Sequence, residues 1–327
     1  MATIVQKSST TALTGSPKRW RWPKLGRVLT IAFLTFFALL TLMPFVWVVS
    51  TSLRTPAQSF TLPPKWIPVD MDFSNYARVF EEIPFWNQIG NSFVITLSVV
   101  AGQLVTAALA GYAFGRLKFP GRNILFWLVL ATLMIPGQAT IIPVFILISR
   151  VFQMNDTLWA LIIPGLATAF GTFLLRQYFM GIPDEFEEAA LVEGANQWQI
   201  FHKIYLPLAS PGLAILAVLT FNAKWNDYFT PLIFMNTKER FPITLGIVDL
   251  QGYMATGSIS VVLAGIVLHR YWNAMTSGYM RLSQPRATAA IMLVISGLAS
   301  LAIVEVVGGR AIFFDMMMRL GDWGIWE

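Results

Sequence analysis

The chain has 327 residues, of which 56% are hydrophobic and only 12% are charged. A soluble globular protein carries about 25% charged residues, so this chain has too few to cover a water-facing surface. It has no cysteine, and its two histidines, His202 and His269, lie far apart in the sequence, which argues against thiolate chemistry and a metal cluster. The composition predicts an all-α membrane protein, because unpaired backbone groups in lipid cost several kcal/mol each.

The first 27 residues form a polar and basic segment, rich in Ser, Thr, Lys and Arg. We expect residues 1–17 to be disordered and the whole of 1–27 to be a cytoplasmic N-terminal segment. The apolar run 28–50 follows, and it exceeds the roughly 7–15 apolar residues of a signal peptide. We therefore predict that this run is retained as a first transmembrane helix.

Further apolar runs approach or exceed the roughly 20 residues that a helix needs to cross a bilayer. They are Asn91–Phe114, Ile124–Ser149, Leu158–Leu175, Leu208–Met235 and a last run that begins near Ser258. Together with the first run they predict about six spans. Pro136, Pro143 and Pro164 should kink or break their helices, as is typical of spans that line a cavity.

The Lys and Arg residues are biased toward one side of these spans. With the N-terminus inside, the inner segments hold eleven and the outer segments hold six, in agreement with the positive-inside rule. We therefore place the N-terminus in the cytoplasm and attribute the net charge of +6 to inner loops, not to nucleic acid binding. The long outer loop 51–90 is either a folded connector at the interface or a docking surface for a soluble partner.

The inner loop 182–207, between the fourth and fifth spans, is predicted to fold as a helix, a break and a second helix. Pro183 suits a first helical position, and the four acidic residues that follow suit the positive end of the helix dipole. Gly194 should break this helix, and Asn196 should cap the next one. The loop should therefore form an elbow on the inner side of the membrane.

One face of the first helix in this loop has small side chains. Phe186, Ala189 and Ala190 fall at helical spacing and should share that face, which permits close approach of another surface. Periodicity alone leaves two interpretations open, namely an amphipathic elbow lying along the membrane and a docking site for a partner.

Ten residues of this region resemble the signature loop of bacterial ABC importer permeases. They are Ile182, Pro183, Glu188, Ala189, Ala190, Gly194, Ile204, Leu206, Pro207 and Pro211. The family usually has Asp before the glycine, whereas this chain has Glu193, which keeps the charge. The resemblance runs from about Phe33 to Leu268. It implies the type I ABC importer permease fold, in the plasma membrane of a bacterial-type cell, and a core domain 91–268.

Three further stretches resemble the carbohydrate branch of that family, which includes the maltose permease subunits. They are Ser52-Leu53-Arg54 with Pro63-Pro64 and Asn75-Tyr76, then Gly111 through Arg116, and then Trp225 through Tyr228 with Pro231-Leu232. The resemblance implies that the protein is a transport subunit and not an enzyme, that its solute is a sugar, and that the loop around Glu188 and Gly194 docks on an ATPase.

The same resemblance implies a set of partners. They are a second permease subunit, two ATPase subunits, an extracytoplasmic solute-binding protein and membrane lipid. The sequence contains no G-x-x-x-x-G-K-[ST] phosphate loop. We therefore expect no cofactor on this chain, with ATP and Mg²⁺ bound by the ATPase subunits, and no nucleic acid partner.

Polar residues inside the spans are candidates for the solute pathway, since such groups are costly in lipid and usually face protein or water. They are Gln103, Gln138, Asn222, Lys224, Asn226 and Asp227, with the aromatic rings of Trp225 and Tyr228 beside them. A sugar needs amide partners and aromatic faces of this kind. Alternatively, Lys224 and Asp227 pair along one helix face or snorkel toward the interface.

From His269 onward the sequence departs from the family pattern. The apolar run Ile259–Leu268 has only ten residues, His269, Arg270 and Asn273 interrupt it, and a second apolar run covers Ala287–Val304. We favour an atypical tail, 269–327, attached to six family-like spans. The alternative is that both runs cross the membrane, which gives seven crossings.

Three other functions stay open from the sequence. The first is an ABC permease for a non-sugar solute such as a peptide, an amino acid or a polyamine. The second is a secondary transporter, which would require inverted repeats and a proton or sodium site. The third is a membrane scaffold without transport activity.

Overall fold

The computed structural model describes residues 24–55, 68, 70–252 and 257–281. Within these ranges every regular element is a helix, as the composition predicts. The α-helices are α1 Lys24–Ser52, α2 Ser74–Glu82, α3 Phe85–Gly115, α4 Arg122–Ala131, α5 Gly137–Ile146, α6 Leu158–Ile162, α7 Ala169–Met180, α8 Glu185–Val192, α9 Gln197–Ile200, α10 Leu206–Leu208, α11 Ser210–Trp225, α12 Phe229–Phe234, α13 Ile243–Asp249 and α14 Ile259–Arg281.

The chain divides into two compact units, Met1–Trp47 and Val48–Glu327. Most of α1 belongs to the first unit. This helix has 29 residues and contains Pro44, so it exceeds the roughly 20 residues that a membrane crossing requires. Residues 1–23 of the predicted cytoplasmic segment lie outside the described residues.

Three helical stretches are long and apolar enough to cross a membrane, namely Val28–Ser52, Phe85–Gly115 and Leu158–Met180. Two bent pairs also qualify if each pair counts as one span: Arg122–Met134 with Gly137–Val151, and Gln197–Leu208 with Ser210–Trp225. The described residues therefore contain three to five candidate spans, where the sequence predicts about six. Helix α14 has 23 residues, which is long enough for a sixth, but its second half contains charged and polar side chains.

Prolines explain two of the breaks. Pro136 stands in an extended conformation before α5, where the two halves of the predicted third span meet at 100°. Pro164 lies in the short 3-10 turn Ile163–Gly165 between α6 and α7. Proline cannot donate the helical hydrogen bond and its ring crowds the preceding turn. The predicted breaks at Pro136 and Pro164 are confirmed, whereas Pro143 lies inside α5 without ending it.

Helix α3 is the centre of the second unit and packs closely on α7 and α11. A Cβ atom placed on Gly111 would lie 2.9 Å from the backbone nitrogen of Arg176, and one placed on Gly171 would lie 3.1 Å from the Cβ atom of Ala107. The two helices can approach this closely because each presents a glycine to the other. Leu216 of α11 is buried in the same core as Ala107.

The predicted fifth span Leu208–Met235 is wrong in its second half. Helix α11 ends at Trp225, and the separate helix α12 begins at Phe229. The side chain of Asn226 donates to the carbonyl oxygen of Asn222 at 2.7 Å, and the carboxylate of Asp227 accepts from the backbone N–H of Thr230 at 3.1 Å. These local bonds satisfy backbone groups at the helix end and so compete with continuation of the helix.

The polar residues that follow the apolar run Ile259–Leu268 do not end the helix. Helix α14 continues to Arg281, and the polar residues His269 and Asn273 are 2% and 4% exposed. They point into the protein, so polar side chains here do not interrupt the helix. Residues 282–327, including the second apolar run Ala287–Val304, lie outside the described residues.

Candidate functional site

The inner loop 182–207 has the predicted order of helix, break and helix. Helix α8 ends at Val192, and Gly194 has a φ of 82°, a left-handed conformation that only glycine adopts without cost. Asn196 then caps α9 through a reciprocal pair of bonds with Gln199. The break at Gly194 and the cap at Asn196 are confirmed. Pro183 precedes α8 and does not occupy its first position.

The faces of α8 differ from the prediction. Ala190 is buried, at 7% exposed, whereas Phe186 and Ala189 are exposed. The three side chains therefore do not form one uniform face. Ala190 instead packs beneath the loop with Ile200 and Tyr205, and the outer side of the helix remains open.

Four large apolar side chains are exposed on this loop, and we call them the apolar patch. They are Phe186 at 48%, Leu191 at 49%, Val192 at 90% and Trp198 at 62%. The signature residues Glu188 and Gly194 lie among them and are exposed as well. Farther along, Ile204 and Leu206 are half-buried, and Pro207 is exposed. An apolar patch bordered by polar residues is typical of an interaction surface.

Arg116, one residue beyond the end of α3, contacts the side of the inner loop that faces α3 and α7. Its Nε and Nη2 atoms donate to the carbonyl oxygen of Phe179 at 2.9 and 2.6 Å. The guanidinium also donates to the carbonyl oxygen of Ile182 and to the carboxylate of Asp184. Its carbon Cζ lies 4.9 Å from the ring centroid of Tyr205. One side chain therefore contacts the end of α7, the start of the loop and the second limb of the loop, by which we mean α9 and the turn Phe201–Tyr205.

Two tyrosines complete these contacts. The hydroxyl of Tyr112 donates to Gln197 at 2.7 Å, and the hydroxyl of Tyr205 donates to Glu187 at 2.7 Å. The two rings lie 5.3 Å apart. From the sequence alone, the stretch Gly111 through Arg116 stood out only as a family resemblance. The spacing of Tyr112 and Arg116, one helical turn apart at the end of a span, was a signal that the two act on the same neighbour.

The pathway candidate Gln103 lies between three elements. Its amide nitrogen donates to the carbonyl oxygen of Gly165 at 2.8 Å, and its amide oxygen accepts from the hydroxyl of Thr220 at 2.8 Å. It is 5% exposed. In this conformation Gln103 links α3 to α11 and to the turn before α7. Gln138 lies elsewhere, exposed beside the bend at Pro136.

Asn222 and Asn226 belong to a polar cluster between α11 and α14. The amide nitrogen of Asn226 donates to the side-chain oxygen of Asn222 at 3.1 Å. The amide oxygen of Asn226 accepts from Arg270 at 3.4 Å and from Asn273 at 3.3 Å. The structure thus brings both predicted residues together, and it adds Arg270 and Asn273, which the sequence analysis assigned to the atypical tail.

Lys224 and Asp227 form an ion pair, with Nζ and Oδ2 3.2 Å apart. Asp227 lies past the end of α11, so the pair closes the helix end and does not run along a helix face. The two side chains line a small cavity together with Ser92 and Thr96 of α3. The hydroxyl of Thr96 is buried there and has no hydrogen-bond partner among the described residues.

The aromatic candidates differ in accessibility. The ring of Trp225 is 1% exposed and stacks on Phe221 and on His269, at centroid distances of 5.4 and 6.0 Å. It therefore offers no open face to a solute in this conformation. Tyr228 is half-buried.

The outer loop is a folded connector in its described part. The side-chain amide of Asn75 donates to the carbonyl oxygens of Ser52 and Arg54 at 3.0 and 2.8 Å, and the hydroxyls of Ser52 and Tyr76 lie 2.9 Å apart. These bonds join the two family-like stretches Ser52-Leu53-Arg54 and Asn75-Tyr76. Asp156 has a similar role in a second outer loop, where it accepts from the backbone N–H groups of residues 236 and 237.

A comparison of the sequence with known protein families identifies a match over most of the chain. Residues 103–312 match the model of the binding-protein-dependent transport system inner membrane component. This match continues past Leu268, where we placed the end of the resemblance, and includes part of the segment 269–327.

Two curated relatives have similar sequences. The chain is 33% identical over 257 residues to the arabinooligosaccharides transport system permease protein AraQ of Halalkalibacterium halodurans, covering 77% of this chain and 90% of that protein. It is 38% identical over 174 residues to the sn-glycerol-3-phosphate transport system permease protein UgpE of Escherichia coli K12. That second match covers 53% of this chain and 60% of the relative.

A solved structure shares the fold. It is the crystal structure of a bacterial ABC transporter involved in the import of the acidic polysaccharide alginate. The TM-score is 0.69 at 28% sequence identity, with 83% of this chain and all of the matched chain covered.

Proposed function

The chain belongs to the family of binding-protein-dependent transport system inner membrane components, and from this premise we propose that it forms part of the channel of an ATP-driven sugar importer. The observation that carries the proposal is the inner loop 182–207, which combines the family signature with an exposed apolar patch. The chain is a transport subunit, and ATP hydrolysis belongs to a separate ATPase chain.

The proposed solute is a sugar or a sugar derivative. The relatives are named for arabinooligosaccharides and for sn-glycerol 3-phosphate, and the structural neighbour imports alginate. All three solutes are polyhydroxylated, and they differ in size and charge. This common chemistry favours a hydroxyl-rich solute over a peptide, an amino acid or a polyamine.

The proposed assembly contains this chain, a second permease subunit, two ATPase subunits and an extracytoplasmic binding protein, in contact with membrane lipid. The ATPase subunits bind ATP and Mg²⁺, and this chain carries no cofactor. We place the N-terminus and the inner loop on the cytoplasmic side, where an ATPase can reach the loop. The positive-inside bias supports this orientation.

The inner loop is proposed to dock in a cleft of the ATPase through the apolar patch. Val192 is 90% exposed, so burying it together with the other three patch residues would contribute apolar area to the interface. Glu185, Glu188 and Glu193 border the patch and would select a complementary basic rim. Because ATP closes the ATPase pair, docking converts that closure into movement of the loop and a shift between two states of the channel.

The solute pathway is proposed to pass the C-terminal end of α11. Asn222, Lys224, Asn226, Asp227 and Tyr228 lie at that end, and the cavity beside Thr96 supports the proposal. In this conformation Gln103 and Trp225 are buried, so they are proposed to reach the solute in other conformations of the channel. Gln138, which is exposed beside the bend at Pro136, is proposed to act in such a conformation as well.

Site-specific cross-linking tests the docking proposal, and the absence of cysteine from the chain makes it selective. We expect Val192→Cys to form a disulfide with a cysteine at the rim of the ATPase cleft, in the assembled transporter and in an ATP-dependent manner. The matched control is Met71→Cys, which is also exposed but lies in the outer loop. Equal cross-linking of both variants, or of neither, contradicts the proposal.

A further inference from the structure

Arg116 occupies the point where three structural elements meet under the inner loop. Its side chain is 8% exposed, whereas that of its partner Asp184 is 77% exposed. The salt bridge is therefore open to solvent, and such pairs contribute little. The buried part of the interaction is the contact with two backbone carbonyls and one aromatic ring.

One of the two carbonyls belongs to the C-terminal end of α7, and the other belongs to the first residue of the loop. Phe179 is in the last turn of the helix, and Ile182 lies just beyond it. Carbonyl groups at a helix C-terminus have no partner inside the helix and carry partial negative charge. A guanidinium satisfies two such acceptors at once because its donors are held in a planar fork, which a lysine ammonium cannot reproduce. Arg116 thus fixes the end of α3 to the end of α7.

The ring of Tyr205 connects Arg116 to the second limb of the loop. The guanidinium lies over this ring, an arrangement that is favourable for a cation on an aromatic face. The hydroxyl of the same tyrosine donates to Glu187 of α8 at 2.7 Å. The first and second limbs are therefore joined to each other and to Arg116.

The connection from the loop to α11 is different. The π-helical turn Phe201–Tyr205 follows α9, and the axis then bends by 71° between Gln197–Leu208 and Ser210–Trp225. A bend at Ala209 next to prolines at 207 and 211 is a place where the axis can change direction. The loop is thus held tightly to α3 and α7, through Arg116 and through the bond from Tyr112 to Gln197, and it joins α11 through the bend at Ala209.

We propose that Arg116 is a positioning residue of the coupling step, which makes the inner loop, α3 and α7 move as one body when the ATPase moves the loop. This inference rests on the proposed function, since it concerns the force that the docked ATPase delivers. Its consequence is that α11 changes its angle to this body at Ala209. The pathway residues at the end of α11 are thereby displaced.

The first test measures solute transported per ATP hydrolysed in proteoliposomes that contain the complete transporter. We expect Arg116→Gln to lower this ratio roughly three- to tenfold, within the range by which residues in coupling networks change coupling. Arg116→Lys should give an intermediate ratio. Lysine keeps a cation over the ring of Tyr205 but lacks the planar set of donors that bonds both carbonyl oxygens. The matched control is Lys118→Gln, which removes an exposed charge from the same connector and should leave the ratio unchanged.

The first arm of a second test keeps Arg116, so it does not depend on how well the Arg116 variants assemble. Spin labels at Lys203→Cys, an exposed loop position outside the apolar patch, and at Leu109→Cys, an exposed position on α3, report the distance between the loop and α3. In otherwise unaltered protein we expect that distance to stay constant between the ATP-free and ATP-bound states, and in Arg116→Lys we expect it to change or broaden.

The outcomes separate this inference from the proposed function. A wild-type ratio in Arg116→Gln, or a loop-to-α3 distance that changes with ATP in the unaltered protein, overturns the role of Arg116 while transport itself stands. Absence of ATP-driven uptake by the unaltered complex would contradict the proposed function instead.

Discussion

Gly194 shows how one residue shapes the inner loop. Its φ of 82° is left-handed, and no atom of the described residues lies within 4 Å of the position where a Cβ would stand. A substitution there therefore costs backbone strain of roughly 1–2 kcal/mol, while the added side chain points into open space. In the proposed assembly that space faces the ATPase.

Two substitutions at Gly194 distinguish the effect of backbone strain from the effect of side-chain size. We expect Gly194→Trp to uncouple ATP hydrolysis from transport, because the indole would hold the ATPase away from the apolar patch. Gly194→Ala has the same strained backbone but little bulk, and it should retain most of the coupling. The measurement is ATPase activity together with uptake in the reconstituted complex, and normal transport by Gly194→Trp would refute the docking role.

Asn226 and Asn222 allow a second prediction at the same scale. We expect Asn226→Leu and Asn222→Leu to reduce uptake without loss of the co-purifying ATPase subunits. In Asn226→Leu the half-buried Arg270 and the buried Asn273 each lose one acceptor, which lowers stability, so the amount of folded protein must be measured alongside. A raised KM at normal protein level would indicate solute contact, and unchanged transport in both variants would remove these residues from the pathway.

At the scale of elements, the packing of α3 on α7 depends on glycine. We predict that Gly111→Val separates the two helices, because its Cβ would meet the backbone of Arg176, and backbone cannot move aside as a side chain can. Overpacking of this kind costs about 1–3 kcal/mol. The measurement is the thermal unfolding midpoint in detergent.

Gly90 provides the matched control for this prediction. It lies in the same helix, and within the part of the chain that the structure describes no atom stands within 4 Å of its Cβ position. Gly90→Val should therefore leave the midpoint close to that of the unaltered protein. Equal midpoints for Gly111→Val and Gly90→Val would show that close helix approach does not stabilise the fold.

The helices and their breaks were largely predictable from the sequence, because apolar length and proline placement act locally. The end of α11 at Trp225 was not predictable. It depends on side-chain hydrogen bonds of Asn226 and Asp227, and the high mean hydropathy of the run Leu208–Met235 hides these two polar residues. The continuation of α14 past Leu268 was missed for a related reason. His269 and Asn273 read as polar interruptions in sequence, but in the fold they are buried against α11.

The site was predictable only in part. The loop, its break and its cap followed from residue types, whereas the Arg116 contacts join residues more than 60 positions apart. Sequence spacing carries no information about such pairs. The pathway residues were chosen by polarity alone, and polarity does not tell a solute contact from a link between helices such as Gln103.

At the scale of the whole molecule, the tail beyond Arg281 determines the number of crossings. With six spans and an inner N-terminus the C-terminus is cytoplasmic, and with seven it is outside. We expect a reporter fused after Glu327 to be active only as a cytoplasmic fusion. Activity of an externally folding reporter at that position would establish seven crossings.

The central claim is that this chain transports a sugar when an ATPase hydrolyses ATP, and reconstitution tests it most directly. The complete complex is placed in proteoliposomes with ATP inside and a sugar-loaded binding protein outside, and labelled sugar is counted after filtration. We predict accumulation that requires both ATP and the binding protein and that is abolished by Gly194→Trp. Accumulation without ATP, or driven by a proton or sodium gradient, would contradict the account.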